Sequence, residues 1–276
     1  MSELKDMTMK IFKSICLALA LAGASITPAL AAGAGPAPDR QSWSFAGPFG
    51  QFDRGQLQRG FKVYREVCAA CHSINLMSFR NLAQPGGPEF SVAQVAALAA
   101  EYQIKGLDDK GEPIERPGRP ADRFPKLFAN ADAAAATHGA APPDLSVMAK
   151  ARSYSRGFPM FVLDALPGVA YQEHGVDYLV ALLNGYTNAD DPNWNAYYPG
   201  NMIKMSNPLS DGQVEYGDGS PQTVMQYARD VSAFMMWTAE PKLEERKRTG
   251  LNVMLFLFVF AGLLYFTKKR IYADAH

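Results

Sequence analysis

The chain has 276 residues, in which 27 Lys and Arg are balanced by 27 Asp and Glu, and 48% of its residues are hydrophobic. A formal net charge of zero lacks the basic footprint of a nucleic-acid binder, so no nucleic-acid partner is expected. The length suits one domain of ordinary size with a real core and room for segments at both ends.

In chain order, residues 1–31 read as a secretory signal. Lys10 and Lys13 form a basic start, Ile15 to Ala22 an apolar centre, and Ala29-Leu30-Ala31 a small-residue cleavage site. Glu3 and Asp6 are unusual there, which points to Met7 or Met9 as the true start. Residues 33–53, rich in Gly, Pro and aromatics, form an extended lead-in. Leu57, Phe61, Tyr64 and Val67 recur at helical spacing and predict a helix over 54–71.

That helix delivers Cys68-Ala69-Ala70-Cys71-His72, the attachment signature of a c-type haem. Two thiols on one turn reach the two vinyl groups of a porphyrin, and the adjacent imidazole lies under the ring with a nitrogen aimed at the iron. A zinc site needs more ligands of matching type, and a redox dithiol wants a βαβ setting that is not visible here. The third cysteine, Cys16, falls in the leader. The exported part therefore has no disulfide once haem is attached.

Further along, Ser91 opens an alanine-rich helix to about Tyr102. Residues 106–143, punctuated by six prolines, read as a long structured loop, the kind that wraps a cofactor. Asp144 is expected to cap a helix over 145–152, and a helix over 175–184 stops at Gly185. Residues 190–208 are again loop. Ser220-Pro221 reads as a cap and first helical position, leading into a helix lined by Val224, Ala228, Val231 and Met235, with a break at Pro241. The fold class is mainly α with long loops.

Leu251 to Thr267 is apolar apart from Asn252 and Thr267, with charged runs at Glu244–Arg248 and Lys268–Arg270. This predicts a transmembrane helix whose basic tail stays inside, as the positive-inside rule prefers. The expected partition is a cleaved signal (1–31), a periplasmic haem domain (32–248), an anchor in the lipid bilayer of the inner membrane (249–268) and a cytoplasmic tail (269–276).

Iron held by His72 on one side needs a sixth position that is methionine, histidine or open. His138 and His174 lie in or near loops. Met77, Met148, Met160, Met202, Met205, Met225, Met235 and Met236 are available, the last three in a predicted helix that suits a core role. Met202 and Met205 share a loop bounded by Pro199 and Pro208, stiff enough to present one sulfur, and the local chemistry prefers neither.

Longer patterns carry a resemblance. Arg59-Gly60-Phe61 with Tyr64 and the haem pentapeptide, Pro142-Pro143-Asp144-Leu145-Ser146 with Ala151-Arg152, Asp218-Gly219-Ser220-Pro221, Asp230-Val231 through Trp237 to Ala239-Glu240-Pro241, and Arg246-Lys247-Arg248 with Gly250-Leu251 together resemble the cytochrome c1 family. The likeness covers most of the exported domain and the anchor. It implies a cytochrome c-like haem domain in a bacterial quinol–cytochrome c reductase (bc1) complex, with one covalent haem c and no enzyme activity of its own. It further implies a cytochrome b subunit and a Rieske iron–sulfur protein as partners, the latter as electron donor. A soluble or membrane-tethered cytochrome c is the implied acceptor. The family's axial methionine falls on Met205 and its propionate arginine on Arg152. Residues 153–174 resemble an insertion, and an extra cysteine pair of some bacterial relatives is absent. The loop acids Asp108, Asp109, Asp190, Asp191, Glu215 and Asp218 are candidates for steering a basic partner.

Overall fold

A computed structural model describes residues 36–107, 110–152, 174–188 and 190–273. The leader with Cys16, Asp108, Asp109, Met160, residues 153–173 and the side chain of His174 lie outside these residues.

Two helices form the frame. The first, α1 (Arg54–Glu66), is capped by Asp53, whose side chain accepts from the Gln56 N–H. It buries Leu57, Gly60, Phe61, Val63 and Tyr64 against α6 (Val224–Ala239), where eleven residues are buried. Gly60 is the point of closest approach. A Cβ there would sit 2.1 Å from the Asp230 carbonyl oxygen and 2.7 Å from the Phe234 Cβ, so the two backbones meet only because that position has no side chain. The crossing is also held by charge. The Asp230 side chain, fully buried, accepts from Arg59 Nε (2.9 Å), Gln226 Nε2 (2.9 Å) and Gln56 Nε2 (3.2 Å). A buried carboxylate is tolerable only with such partners. Beside the crossing, Phe61, Tyr64, Phe79, Tyr102, Phe124 and Phe234 form a continuous aromatic layer, with Phe79 and Phe124 rings 4.2 Å apart.

The remaining elements dress this frame. A 3-10 turn (Phe79–Ala83) precedes α2 (Val92–Ala100), which begins at a reciprocal Ser91–Gln94 capping box and ends two residues short of the expected Tyr102. The stretch expected to be loop contains more order than its prolines suggest. Strands β1 (Gln103–Leu107) and β2 (Pro113–Pro117) pair antiparallel, from Gln103↔Pro117 to Leu107↔Pro113. The two prolines sit at the ends of a strand in a two-stranded ribbon, where a missing N–H does little harm. After it comes α3 (Ala131–His138), capped by Asn130 and closed by Gly139 at φ 74°.

Two helix starts differ from expectation. The segment after Asp144 makes only one turn, α4 (Met148–Ala151), and Asp144 accepts from the N–H groups of Asn75 and Ser146. The helix α5 (His174–Asn184) stops at Gly185 as predicted. For α6 the cap is Thr223 rather than Ser220, whose N–H instead donates to Asp218.

The last helix, α7 (Leu243–Ile271), is longer than its apolar segment, and the charged run Glu244–Arg248 forms its first turns. Among the described residues it is the helix long and apolar enough to cross a membrane, and its apolar window is wholly unburied within the chain. At 1.5 Å per residue it is about 43 Å long, more than the roughly 30 Å hydrocarbon core. Its base is seated on the domain. Leu243 is buried, Glu244 accepts from both Arg54 terminal nitrogens (2.7 and 3.0 Å) and from Phe52 N–H (2.9 Å), and Lys247 donates to the Phe45 carbonyl.

These contacts place the boundary of the folded unit within α7. A domain ending at Arg248 is expected to unfold several degrees above one ending at Glu240, which loses Leu243 and the Arg54–Glu244 pair. Thermal denaturation followed by circular dichroism compares the two, and equal midpoints would show that the base of α7 adds nothing.

Candidate functional site

The end of α1 tightens into a 3-10 turn over Cys68–Ala70, in which the N–H groups of Cys71 and His72 both donate to the Cys68 carbonyl (3.1 and 2.9 Å). The Tyr64 hydroxyl, one helical turn back, donates to the His72 carbonyl at 3.1 Å. Residues 72–76 are then stitched to 143–146 by four hydrogen bonds. Pro143 O lies 2.7 Å from His72 Nδ1, Leu145 N–H donates to Ser73 O (2.8 Å), Asn75 N–H to Asp144 Oδ2 (2.8 Å), and Leu76 N–H to Ser146 Oγ (3.1 Å).

The first of these bonds decides the chemistry of the imidazole. A carbonyl oxygen only accepts, so Nδ1 carries the proton and Nε2 keeps a free lone pair for a metal. Such a backbone partner is how a ligating histidine is held in one tautomer and one orientation. Burial pushes the His72 imidazole below its ordinary value and so toward the neutral, ligating form, against the opposing pull of the Pro143 carbonyl.

The setting of Cys68 does not suit a redox dithiol. Burial, with Cys71 alongside, pushes the Cys68 thiol up to about 12. A catalytic dithiol requires the reverse, a stabilised thiolate. Among the described residues no group of three or more His, Cys, Asp or Glu is placed to hold a metal, so a zinc reading has no support. A fixed imidazole beside two thiols three positions apart is a donor set that fits a covalently attached haem.

The candidates for the sixth position separate by environment. Met202 is 55% exposed, whereas Met205 is partly buried and packs against the hydrophobic core, as Cys68 does. The Tyr186 hydroxyl, pushed up to about 12 by burial and so a donor at neutral pH, gives its proton to the Met205 carbonyl (2.9 Å). Met77, Met148, Met235 and Met236 are core residues, and Met225 is exposed on α6. His138 is exposed, edge-on to Phe128. Arg152, at the end of α4, is exposed, and its positive charge reaches the half-buried Tyr178 hydroxyl. Of the acids considered for steering, Asp190 and Glu215 are exposed. Asp218 is not free for that role: the Ser220 N–H and the Arg59 guanidinium hold it and lower its carboxyl to about 2.

Comparison with known proteins bears directly on this site. The cytochrome c1 family profile matches residues 43–275. The chain belongs to the cytochrome c1 family. Cytochrome c1 from Blastochloris viridis is 49% identical over 274 residues, covering 95% of this chain and 96% of that protein. Cytochrome c1 from Cereibacter sphaeroides is 39% identical over 292 residues, with coverage of 97% and 96%. A Bradyrhizobium diazoefficiens protein named cytochrome b/c1 is 55% identical over 97% of this chain, and the chain spans 41% of its length. Membership of the cytochrome c1 family brings the cofactor with it: a covalently bound haem c, in an electron-transfer subunit of the bc1 type.

Sequence reading missed the strap formed by residues 143–146. The available signal was Pro142-Pro143, two residues without N–H groups, followed by an aspartate that reads equally well as a helix cap. Asp144→Ala removes two charge-assisted bonds to backbone N–H groups and is expected to lower stability by about 2–3 kcal/mol. Asp144→Asn, which keeps one acceptor, should fall between it and wild type. Chemical denaturation of the haem-loaded protein checks the order, and an unchanged Asp144→Ala would show that the strap is held without the carboxylate.

Proposed function

We propose that this chain is the singly anchored, periplasmic relay of its complex, taking one electron from the Rieske iron–sulfur protein and passing it to a soluble or membrane-tethered cytochrome c. The observation that carries the reading is the His72 Nδ1–Pro143 bond, which dedicates the other imidazole nitrogen to a metal. In this reading the thiols of Cys68 and Cys71 form the thioether links, His72 and Met205 are the axial ligands, and Arg152 pairs with a propionate through its guanidinium fork. The bound haem supplies a one-electron couple whose potential follows from ligand identity, burial and nearby hydrogen bonds. The chain's own contribution is to fix the imidazole, to keep the iron site closed with a thioether, and to hold the whole on an anchored domain.

Cytochrome b is the expected neighbour of α7, and the signal and orientation follow the reading of residues 1–31 and 268–270. Supporting this topology are the unburied apolar window of α7 and the basic cluster Lys268-Lys269-Arg270 beyond it.

Gentle detergent purification through a C-terminal tag tests the proposal. A multi-span cytochrome b and an iron–sulfur subunit should come with the tagged chain, and its band on a denaturing gel should stain for haem. Release of the haem by acid–acetone would end the thioether assignment. Isolation of a lone protein whose reduced form binds carbon monoxide would favour a haem enzyme instead.

Docking of the acceptor is proposed to draw on the exposed carboxylates of Asp190 and Glu215, with the half-buried Asp191 beside them. Stopped-flow transfer to a basic cytochrome c should slow steeply as salt rises past about 0.1 M, where the Debye length is about 10 Å. Charge reversal at Asp190 and Asp191 should flatten that dependence. A salt-independent wild-type rate would remove steering from the account.

A further inference from the structure

The loop that carries Met205 is far more tightly tied than its exposure suggests, and two side chains do the tying. Asn195 is fully buried. Its Nδ2 donates to the Leu182 carbonyl in the last turn of α5 (2.8 Å), and its Oδ1 accepts from the N–H groups of Tyr197 (3.0 Å) and Tyr198 (3.2 Å). Its own backbone closes the loop on the far side. Asn195 N–H donates to Asn201 O (2.8 Å), and Asn201 Nδ2 returns a bond to Asn195 O (3.1 Å). Asn201 holds φ 61°, a left-handed turn that asparagine tolerates better than most residues. Ile203 N–H then reaches Asn193 O (2.9 Å), so residues 193–203 form a closed clip directly before the methionine.

The clip is fastened to one place, the C-terminus of α5. Ala196 N–H donates to Gly185 O (2.9 Å), and a Cβ at Gly185 would stand 2.6 Å from Asn195 Oδ1, so the glycine makes room for the amide. One residue on, Tyr186 reaches past the clip to the Met205 carbonyl itself (2.9 Å). The helix α5 is in turn buried through Val176, Leu179, Val180 and Leu183. Met205 thus hangs between two attachments that both begin at Leu182–Tyr186.

We propose that Asn195 and Tyr186 are positioning residues that hold the Met205 thioether at its bonding place. The proposal rests on Met205 being the sixth ligand. Methionine is a weak axial ligand in competition with small exogenous molecules, so how firmly its backbone is held sets how often the site opens. The amide and the phenol act on the sulfur through the loop backbone.

The test uses the haem-loaded protein purified with its complex in detergent. Met205→Ala comes first: if the far-red sulfur-to-iron band survives there, the ligand assignment is wrong, and the positioning proposal falls with it for that separate reason. With the band lost in Met205→Ala, Tyr186→Phe deletes a single hydroxyl, and Asn195→Asp keeps the amide's shape while turning its donor into an acceptor facing the Leu182 carbonyl. Tyr186→Phe is expected to increase carbon monoxide uptake by the reduced protein by roughly 3–10-fold, the equilibrium weight of one neutral hydrogen bond, and Asn195→Asp, which buries a carboxylate, by more. Each should also lose the far-red band on heating well before circular dichroism reports unfolding. Wild-type uptake with a wild-type band would overturn the proposal. Loss of the band only together with global unfolding would also overturn it, since it marks a role in overall stability alone. Should Asn195→Asp fail to accumulate, Tyr186→Phe decides by the same two readouts.

Discussion

The hydrogen bond from His72 Nδ1–H to the Pro143 carbonyl is the constraint on which the site depends. It joins the end of α1 to a segment about seventy residues away and chooses the tautomer of the imidazole in the same contact. Neither partner is rigid alone. The 3-10 turn after α1 is short, and Pro143 sits in a stretch without regular structure. Rigidity comes from the four parallel ties between 72–76 and 143–146, of which the Asp144 carboxylate supplies one while also closing its own turn on Ser146. The turn itself is aimed by α1, and α1 is aimed by its contact with α6 at Gly60 and Asp230. The order of dependence therefore runs from helix crossing to turn to imidazole.

The loop that carries Met205 is built by different means. Where His72 is fixed by backbone groups of a proline-rich strap, the loop with Met205 is fixed by two side chains anchored at the end of α5. Both constructions follow from the same need. Irregular backbone has unpaired N–H and C=O groups, and a loop near a core becomes stable only when side chains satisfy them. Asn195 satisfies three such groups from a single amide.

Much of the frame was legible in the sequence because it is written in periodicity. Leu57, Phe61 and Tyr64 mark the buried face of α1, Val224 to Met235 mark α6, and the apolar run after Leu251 marks the spanning part of α7. The haem attachment motif was legible because its chemistry is local, five residues long. What was not legible depends on pairing across distance. The β1–β2 ribbon hides among prolines that end a strand as naturally as they end a helix. Asp144 and Ser220 look like helix caps, and only the folded chain reveals that Asp144 serves Asn75 and that Thr223 does the capping of α6. Met202 and Met205 are equivalent in the sequence until one is seen in the open and the other against the core.

The seating of α7 has a mechanical consequence. Glu240, just before Pro241, is bonded to both Lys150 of α4 and Arg246 of α7, so the bend between α6 and α7 is splinted on both sides. With Leu243 buried and Glu244 gripped by Arg54, the helix leaves the domain as a cantilever seated at its root. A spanning helix longer than the hydrocarbon core relieves the mismatch by tilting. A seated root converts that tilt into a lean of the whole domain over the membrane surface, so bilayer thickness becomes a determinant of the angle at which the domain faces its neighbours.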